Sequence, residues 1–225
     1  MPAALEDLRE RLAQPPSRPD EVLPVREPLD ALFPRRGLVR GSVVSVEGSL
    51  WLALAVAAAA SEAGSWCAVV GMRDLGAAAA AECGIDLNRL VLVPSPGGQW
   101  ATVVAALLDG FDLVLVEPSR DVRAGEARRL AARARERRSV LMPLGPAWPE
   151  TVDLRLRVDD SSFSGLQRGY GRIAARHCRI ASYGRGAAAR ERRVTTSLPQ
   201  PGVPPAAVAR ARPLPVGGTP TSSTA

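Results

Sequence analysis

Three residues stand where nucleotide chemistry would be expected: Gly48, Ser49 and Glu117. Gly48-Ser49 joins a short apolar run, Val43 to Val46, to an apolar stretch of helical length over residues 49–63. Many nucleotide-binding α/β proteins carry a phosphate loop at such a strand–turn–helix corner. Its glycines let backbone amides approach phosphate, its lysine reaches the terminal phosphates, and a Ser or Thr holds magnesium. Glu117 closes a second apolar run, Val114-Leu115-Val116, where an acidic residue would help hold that magnesium. Only Gly48-Ser49 remains of a loop, however, and all 29 cationic side chains of the chain are arginine. Removing the loop amides and the lysine removes most of the charge stabilisation that phosphoryl transfer needs. The pattern predicts the shape of a nucleotide corner without its catalysis: no enzyme, no cofactor and no metal, with Gly48, Ser49 and Glu117 as vestiges.

The second group of candidate residues is cationic. The formal net charge is +6, which suggests an acidic partner or nucleic acid; an arginine bias also follows from a GC-rich genome. Arg128, Arg129, Arg133, Arg135, Arg137 and Arg138 crowd one predicted helix, where a solvated face is the default reading. Arg168, Arg172, Arg176, Arg179, Arg185, Arg190, Arg192 and Arg193 are more suggestive, because they alternate with Gly169-Tyr170-Gly171 and Tyr183-Gly184. Phosphate contacts need only arginines on an exposed edge. An acidic protein surface would use the same edge.

Cys67, Cys83, Cys178 and the single His177 show no metal-ligand spacing, so the cysteines read as small buried hydrophobes of a reducing cytoplasm. His177 and Cys178 are adjacent, and in a strand they would face opposite ways. Near the start, Leu5, Leu8 and Leu12 fall on one stripe of a predicted helix, and Gln14-Pro15-Pro16 stops it. Such a stripe either docks on a partner or folds back on its own domain. Met1 leads into an acidic-basic helix, so no signal peptide is expected. The run Leu50 to Ala60 is too short to span a bilayer, so no membrane contact is expected either.

The elements that position these residues alternate. Predicted strands lie near Val22 to Val25, Val43 to Val46, Trp66 to Val70, Leu90 to Val93, Asp112 to Val116 and Ser139 to Met142. Helices over 49–63, Leu75 to Cys83, Gln99 to Leu108 and Arg123 to Arg138 fall between the later ones. Strand–helix alternation of this kind calls for a mostly parallel twisted sheet flanked by helices. Arg35 to Gly41 reads as a basic turn. After Pro149 the period changes to two: Val152 to Val158 is a half-exposed strand, followed by Arg172 to Ser182 and Arg193 to Thr196. These read as antiparallel additions at one sheet edge. Three parts are expected: residues 1–21 as helix and linker, 22–198 as one α/β core, and 199–225 as a disordered Pro/Ser/Thr-rich tail.

The order of these features resembles the RecA superfamily core. The resemblance rests on Leu38 to Gly48, the helix over 49–63, Gly64 to Val70, Gly84 to Leu90, and Phe111 to Ser119, where that family has its second nucleotide motif. It covers roughly residues 22–196. The departures are the deleted phosphate loop, Glu117 in place of the usual aspartate, and short connections where the family has DNA-binding loops. Among RecA relatives without ATP motifs, the chain is most similar to the short actinobacterial ImuA-type mutasome accessory proteins. That resemblance implies a non-catalytic adaptor of the DNA-damage (SOS) response. Its partners would be an inactive Y-family polymerase homologue (ImuB), an error-prone replicative-type polymerase reached through it, and DNA. The contacts would be Leu5, Leu8 and Leu12 for protein, and the arginine edge of 168–193 for DNA or an acidic partner. A different class, the SulA-like cell-division inhibitor, uses a similar fold against the tubulin-like division protein.

Overall fold

The computed structural model describes residues 21–198 except 119–120, 146–147, 150–151 and 168–169; over 163–176 and at 198 it describes the backbone alone. Among the described residues, ten strands and four α-helices follow one another. β1 (Val22–Pro24), β2 (Gly37–Val39) and β3 (Val44–Glu47) lead into α1 (Leu50–Glu62). Then come β4 (Cys67–Val70), α2 (Ala77–Glu82), β5 (Leu90–Val93), α3 (Trp100–Gly110) and β6 (Leu113–Val116). α4 (Ala124–Arg137), β7 (Val140–Pro143), β8 (Leu154–Gln167), β9 (Tyr170–Gly184) and β10 (Arg192–Leu198) complete the order.

The strands form two four-stranded sheets, β5-β4-β6-β7 and β3-β8-β9-β10, plus the small antiparallel pair β1-β2. The first sheet is wholly parallel. The two meet where β3 runs alongside β7 through isolated parallel bridges, Val43 with Leu141 and Val46 with Leu144. The result is a mixed α/β protein whose parallel sheet is flanked by helices. β4, β6 and β7 are buried throughout, as continuous apolar runs require when both sheet faces are covered. β5, at the edge, is half-buried.

α1 packs in the apolar layer on one sheet face, where Leu52 to Ala58, Ala60 and Ser61 are all buried. Its small side chains let strand and helix approach from several sides. Gly64, at φ +98, ends it in the left-handed conformation that glycine tolerates best. α3 and α4 cover the opposite face through Trp100, Val104, Leu108, Ala127, Leu130, Ala131 and Ala134. Cys67, Cys83 and Cys178 are free thiols inside the protein, whereas His177 is exposed, as the alternation of a strand requires.

Three expectations are corrected. Arg35 to Gly41 is not only a turn: Gly37–Val39 pairs with Val22–Pro24. A Cβ on Gly37 would come within 2.4 Å of the Leu23 carbonyl oxygen, so the close approach needs glycine. The later strands are not all antiparallel edge additions, since β8 joins β3 in parallel through Val44–Leu154 to Glu47–Arg157 and only then begins an antiparallel hairpin with β9. β8 also runs well past Val158. The period-two signal fades there because a register shift falls between Val158 and Asp160, and the polar Asp159 to Ser162 follow as the strand continues past the end of β3.

Candidate functional site

The corner forms as its local chemistry dictates. β3 ends at Glu47, Gly48 turns the chain at φ +80, and Ser49 adopts an extended conformation as the N-cap of α1. The Ser49 hydroxyl accepts a hydrogen bond from the Leu52 N–H at 3.2 Å, which answers one of the orphan donors of the first turn. Glu47 forms an ion pair with Arg155 of β8, both partly buried. A Cβ placed on Gly48 would lie 3.9 Å from Val158 Cβ, so β8 also passes beside the turn.

Glu117 follows β6 at the same, carboxyl end of the sheet, one strand removed from β3 because β7 lies between. Its N–H donates to the Val70 carbonyl at 2.9 Å and its side chain is exposed. Gly71, at φ +90, lies against it: a Cβ there would stand 2.0 Å from the Glu117 carbonyl oxygen. The structure therefore brings Gly48, Ser49 and Glu117 to one end of the sheet, where doubly wound folds place ligands. As a cradle for a nucleoside triphosphate and its magnesium the corner is a poor fit. One glycine supplies the turn, the chain has no lysine, the Ser49 hydroxyl caps its own helix, and the nearest carboxylate, Glu47, is held by Arg155.

Of the arginines of 168–193, those with described side chains lie along the β8–β9 hairpin and at its base. Arg168 lies outside the described residues; Arg172 and Arg176 are placed by backbone only, in β9, where Arg176 is opposite Phe163 and Leu198. Arg179 stands 3.8 Å from Asp160 partway along the hairpin. Arg185, Arg192 and Arg193 sit at its base, near the start of β3, with Arg185 on Asp153 at 3.0 Å and Arg193 on Glu191 at 3.0 Å. Arg192 donates to the Arg190 and Ala187 carbonyls, and Arg190 is exposed. These pairs are exposed and worth little, so the guanidiniums stay available to other anions. In α4, Arg133 grips Asp109 of α3 through two nitrogens at 2.8 and 2.5 Å, and Arg137 joins it at 3.1 Å. That part of the face ties helices together. Leu5, Leu8 and Leu12 lie outside the described residues.

Sequence reasoning missed the buried ion pair at the amino end of the sheet. Arg40 Nη1 donates to Asp112 Oδ1 at 2.6 Å, with side chains only 6% and 4% exposed, and Asp112 Oδ2 accepts from the Trp66 N–H at 2.9 Å. A signal existed: a charged residue between Phe111 and the apolar Leu113–Val116 must be buried, and a buried carboxylate needs a partner. Among the described residues no helix is long and apolar enough to cross a membrane.

Residues 31–150 match the family described as MT3502 N-terminal domain. An uncharacterized protein of Mycobacterium tuberculosis (strain ATCC 25618 / H37Rv), Rv3395c, is 35% identical over 150 residues, which is 66% of this chain and 69% of that protein. The chain belongs to this family. The family-matched stretch runs from Ala31 through β2, the corner and Glu117 to the connection after β7. It includes the Arg40–Asp112 pair. It leaves out the β8–β9 hairpin and β10, so Arg155, which locks Glu47, comes from beyond it.

Proposed function

We propose that this member of the MT3502 N-terminal domain family is a non-catalytic adaptor built on a RecA-like core, acting in a DNA-damage-induced mutagenesis complex for translesion synthesis. In this reading it binds an inactive Y-family polymerase homologue through Leu5, Leu8 and Leu12 and, through that partner, an error-prone replicative-type polymerase. Arginines of 168–193 add contacts to DNA or to an acidic partner surface. The observation that carries the proposal is the self-closed corner: a complete strand–turn–helix in which Ser49 caps its own helix and Glu47 is paired with Arg155. A fold that keeps the frame of a nucleotide site while its polar groups serve each other is suited to binding proteins rather than turning over ATP.

The test is affinity purification of the tagged chain from damage-treated host cells, with mass spectrometry of what comes with it. Recovery of the two polymerases, lost on Leu5/Leu8/Leu12→Ala, supports the adaptor. Recovery of the tubulin-like division protein instead would turn the proposal into a SulA-like inhibitor, as would cell filamentation on overexpression. ATP hydrolysis abolished by Glu117→Ala would overturn both. DNA contact by the arginines should weaken steeply with salt, with a log–log slope near −0.9 per phosphate neutralised on duplex. Salt-insensitive binding would remove DNA from the proposal.

A further inference from the structure

An open concavity lies at the end of the sheet opposite the corner. A cavity of about 450 Å³ sits between the turn preceding β2, the amino ends of β3 and β8, the helical turn Gly186–Ala188 and the last turn of α4. Its floor is apolar and tightly packed: Phe33, Val44, Leu154 and Ala188 are all buried. Its volume falls in the range of ordinary ligand pockets. Three exposed arginines border it, each on a different element: Arg35 before β2, Arg135 on α4 and Arg185 after β9.

The charges around this rim are unequal. Arg35 is paired with Glu21 and Arg185 with Asp153, both exposed. Arg135 has no side-chain partner among the described residues. The Arg35 hydrogen bond and then its charge hold the Glu21 carboxyl below its ordinary range. Exposed pairs of this kind contribute almost nothing net, so a partner's carboxylates can replace Glu21 and Asp153 at small cost. The guanidiniums are spread over three elements rather than converging on a point, which suits several carboxylates along a chain better than the single head group of a small anion. The apolar floor asks for a hydrophobic anchor, which a phosphodiester backbone does not supply.

From this geometry we infer that the cavity is a docking site for an acidic segment of a partner protein, with one large apolar side chain seated on Phe33, Val44, Leu154 and Ala188 and Asp or Glu residues on Arg35, Arg135 and Arg185. The inference uses neither the corner nor the leucine stripe and shares only Arg185 with the adaptor proposal, so variants at Ala187 and Arg135 test it apart from that proposal.

The probe is a phage-displayed library of random dodecapeptides selected on the full chain, with the best peptide synthesised and titrated by fluorescence anisotropy. The expected result is enrichment of peptides carrying Leu, Phe or Trp flanked by Asp and Glu. Their affinity should fall at least about tenfold with Ala187→Trp, which fills the mouth, and with Arg135→Glu, which reverses the rim. Both positions are exposed, so both variants should melt as the parent does, and each checks the other. Peptides that are basic, that bind both variants as tightly as the parent, or that never rise above background would overturn the inference. Binding that appears only after removal of residues 1–20 would assign the cavity to the chain's own amino-terminal segment instead, and a selected site competed by a duplex oligonucleotide would assign it to nucleic acid.

Discussion

The two ends of the sheet have been resolved in opposite ways. At the carboxyl end, Ser49 caps α1 and Glu47 is paired with Arg155, so each of these polar groups is engaged by another part of the chain. At the amino end, Arg40 and Asp112 are sealed in the interior while a cavity bordered by arginines stays open beside them. In open α/β sheets ligands usually enter at the carboxyl ends. Here the polar groups of that end are engaged within the chain, and an arginine-bordered concavity is at the other.

The largest effect should come from the sealed pair. Asp112→Ala removes the carboxylate that pairs with Arg40 in the interior and accepts from the Trp66 N–H, so urea unfolding should show a loss of about 3–5 kcal/mol. Asp112→Asn, which keeps an acceptor for Trp66, should lose less. A loss under about 1 kcal/mol would mean the amino end does not depend on the pair.

Gly71→Ala tests how tightly the carboxyl end is closed. The added Cβ would meet the Glu117 carbonyl at 2.0 Å in a backbone conformation with φ +90, so the expected destabilisation is roughly 2–3 kcal/mol. A neutral result would show that β4 and β6 can part at this end, as a working ligand site would need.

The thiols on the α1 face report through pH. Burial pushes Cys67 and Cys83 up to about 12 from an ordinary value of 9.0, so each stays protonated in the folded chain where the unfolded chain has already released its proton. The folded state then binds more protons, and stability is full below about pH 9 and falls as pH rises from there toward 12. At pH 10 the loss should be at most about 1.4 kcal/mol per thiol. Urea midpoints at pH 8 and pH 10 measure it, and Cys67→Ala with Cys83→Ala should flatten the dependence. The same thiols should resist iodoacetamide until the protein unfolds.

The smallest effect sharpens the contrast most. Ser49→Ala should cost about 1 kcal/mol as a lost helix cap, and Ser49→Asp should restore it. If Ser49 instead served a nucleotide, magnesium-ATP would raise the parent's melting temperature and not that of the Ala variant; no shift in either is expected.

Local pattern settled much of this protein in advance. Val44, Val46 and the run from Leu113 to Val116 could only be buried strand, the alanine-rich stretch after Ser49 could only pack as a close-fitting helix, and Gly64 had to end it. The alternation of Leu154, Arg155, Leu156 and Arg157 marked one strand with one wet face. All of these follow from neighbours a few residues away. Long-range pairings were decided by tertiary structure, because no periodicity encodes which distant strand lies alongside. The parallel seat of β8 beside β3 makes Arg155 the partner of Glu47, 108 positions apart. The meeting of Arg40 with Asp112 across 72 positions, and of Phe33, Arg135 and Arg185 around one cavity, belongs to the same class. The sequence alone showed a strand–turn–helix corner with no lysine in the chain. Only the folded chain showed that Ser49 caps its own helix there, and that arginines of three elements border a cavity at the other end of the sheet.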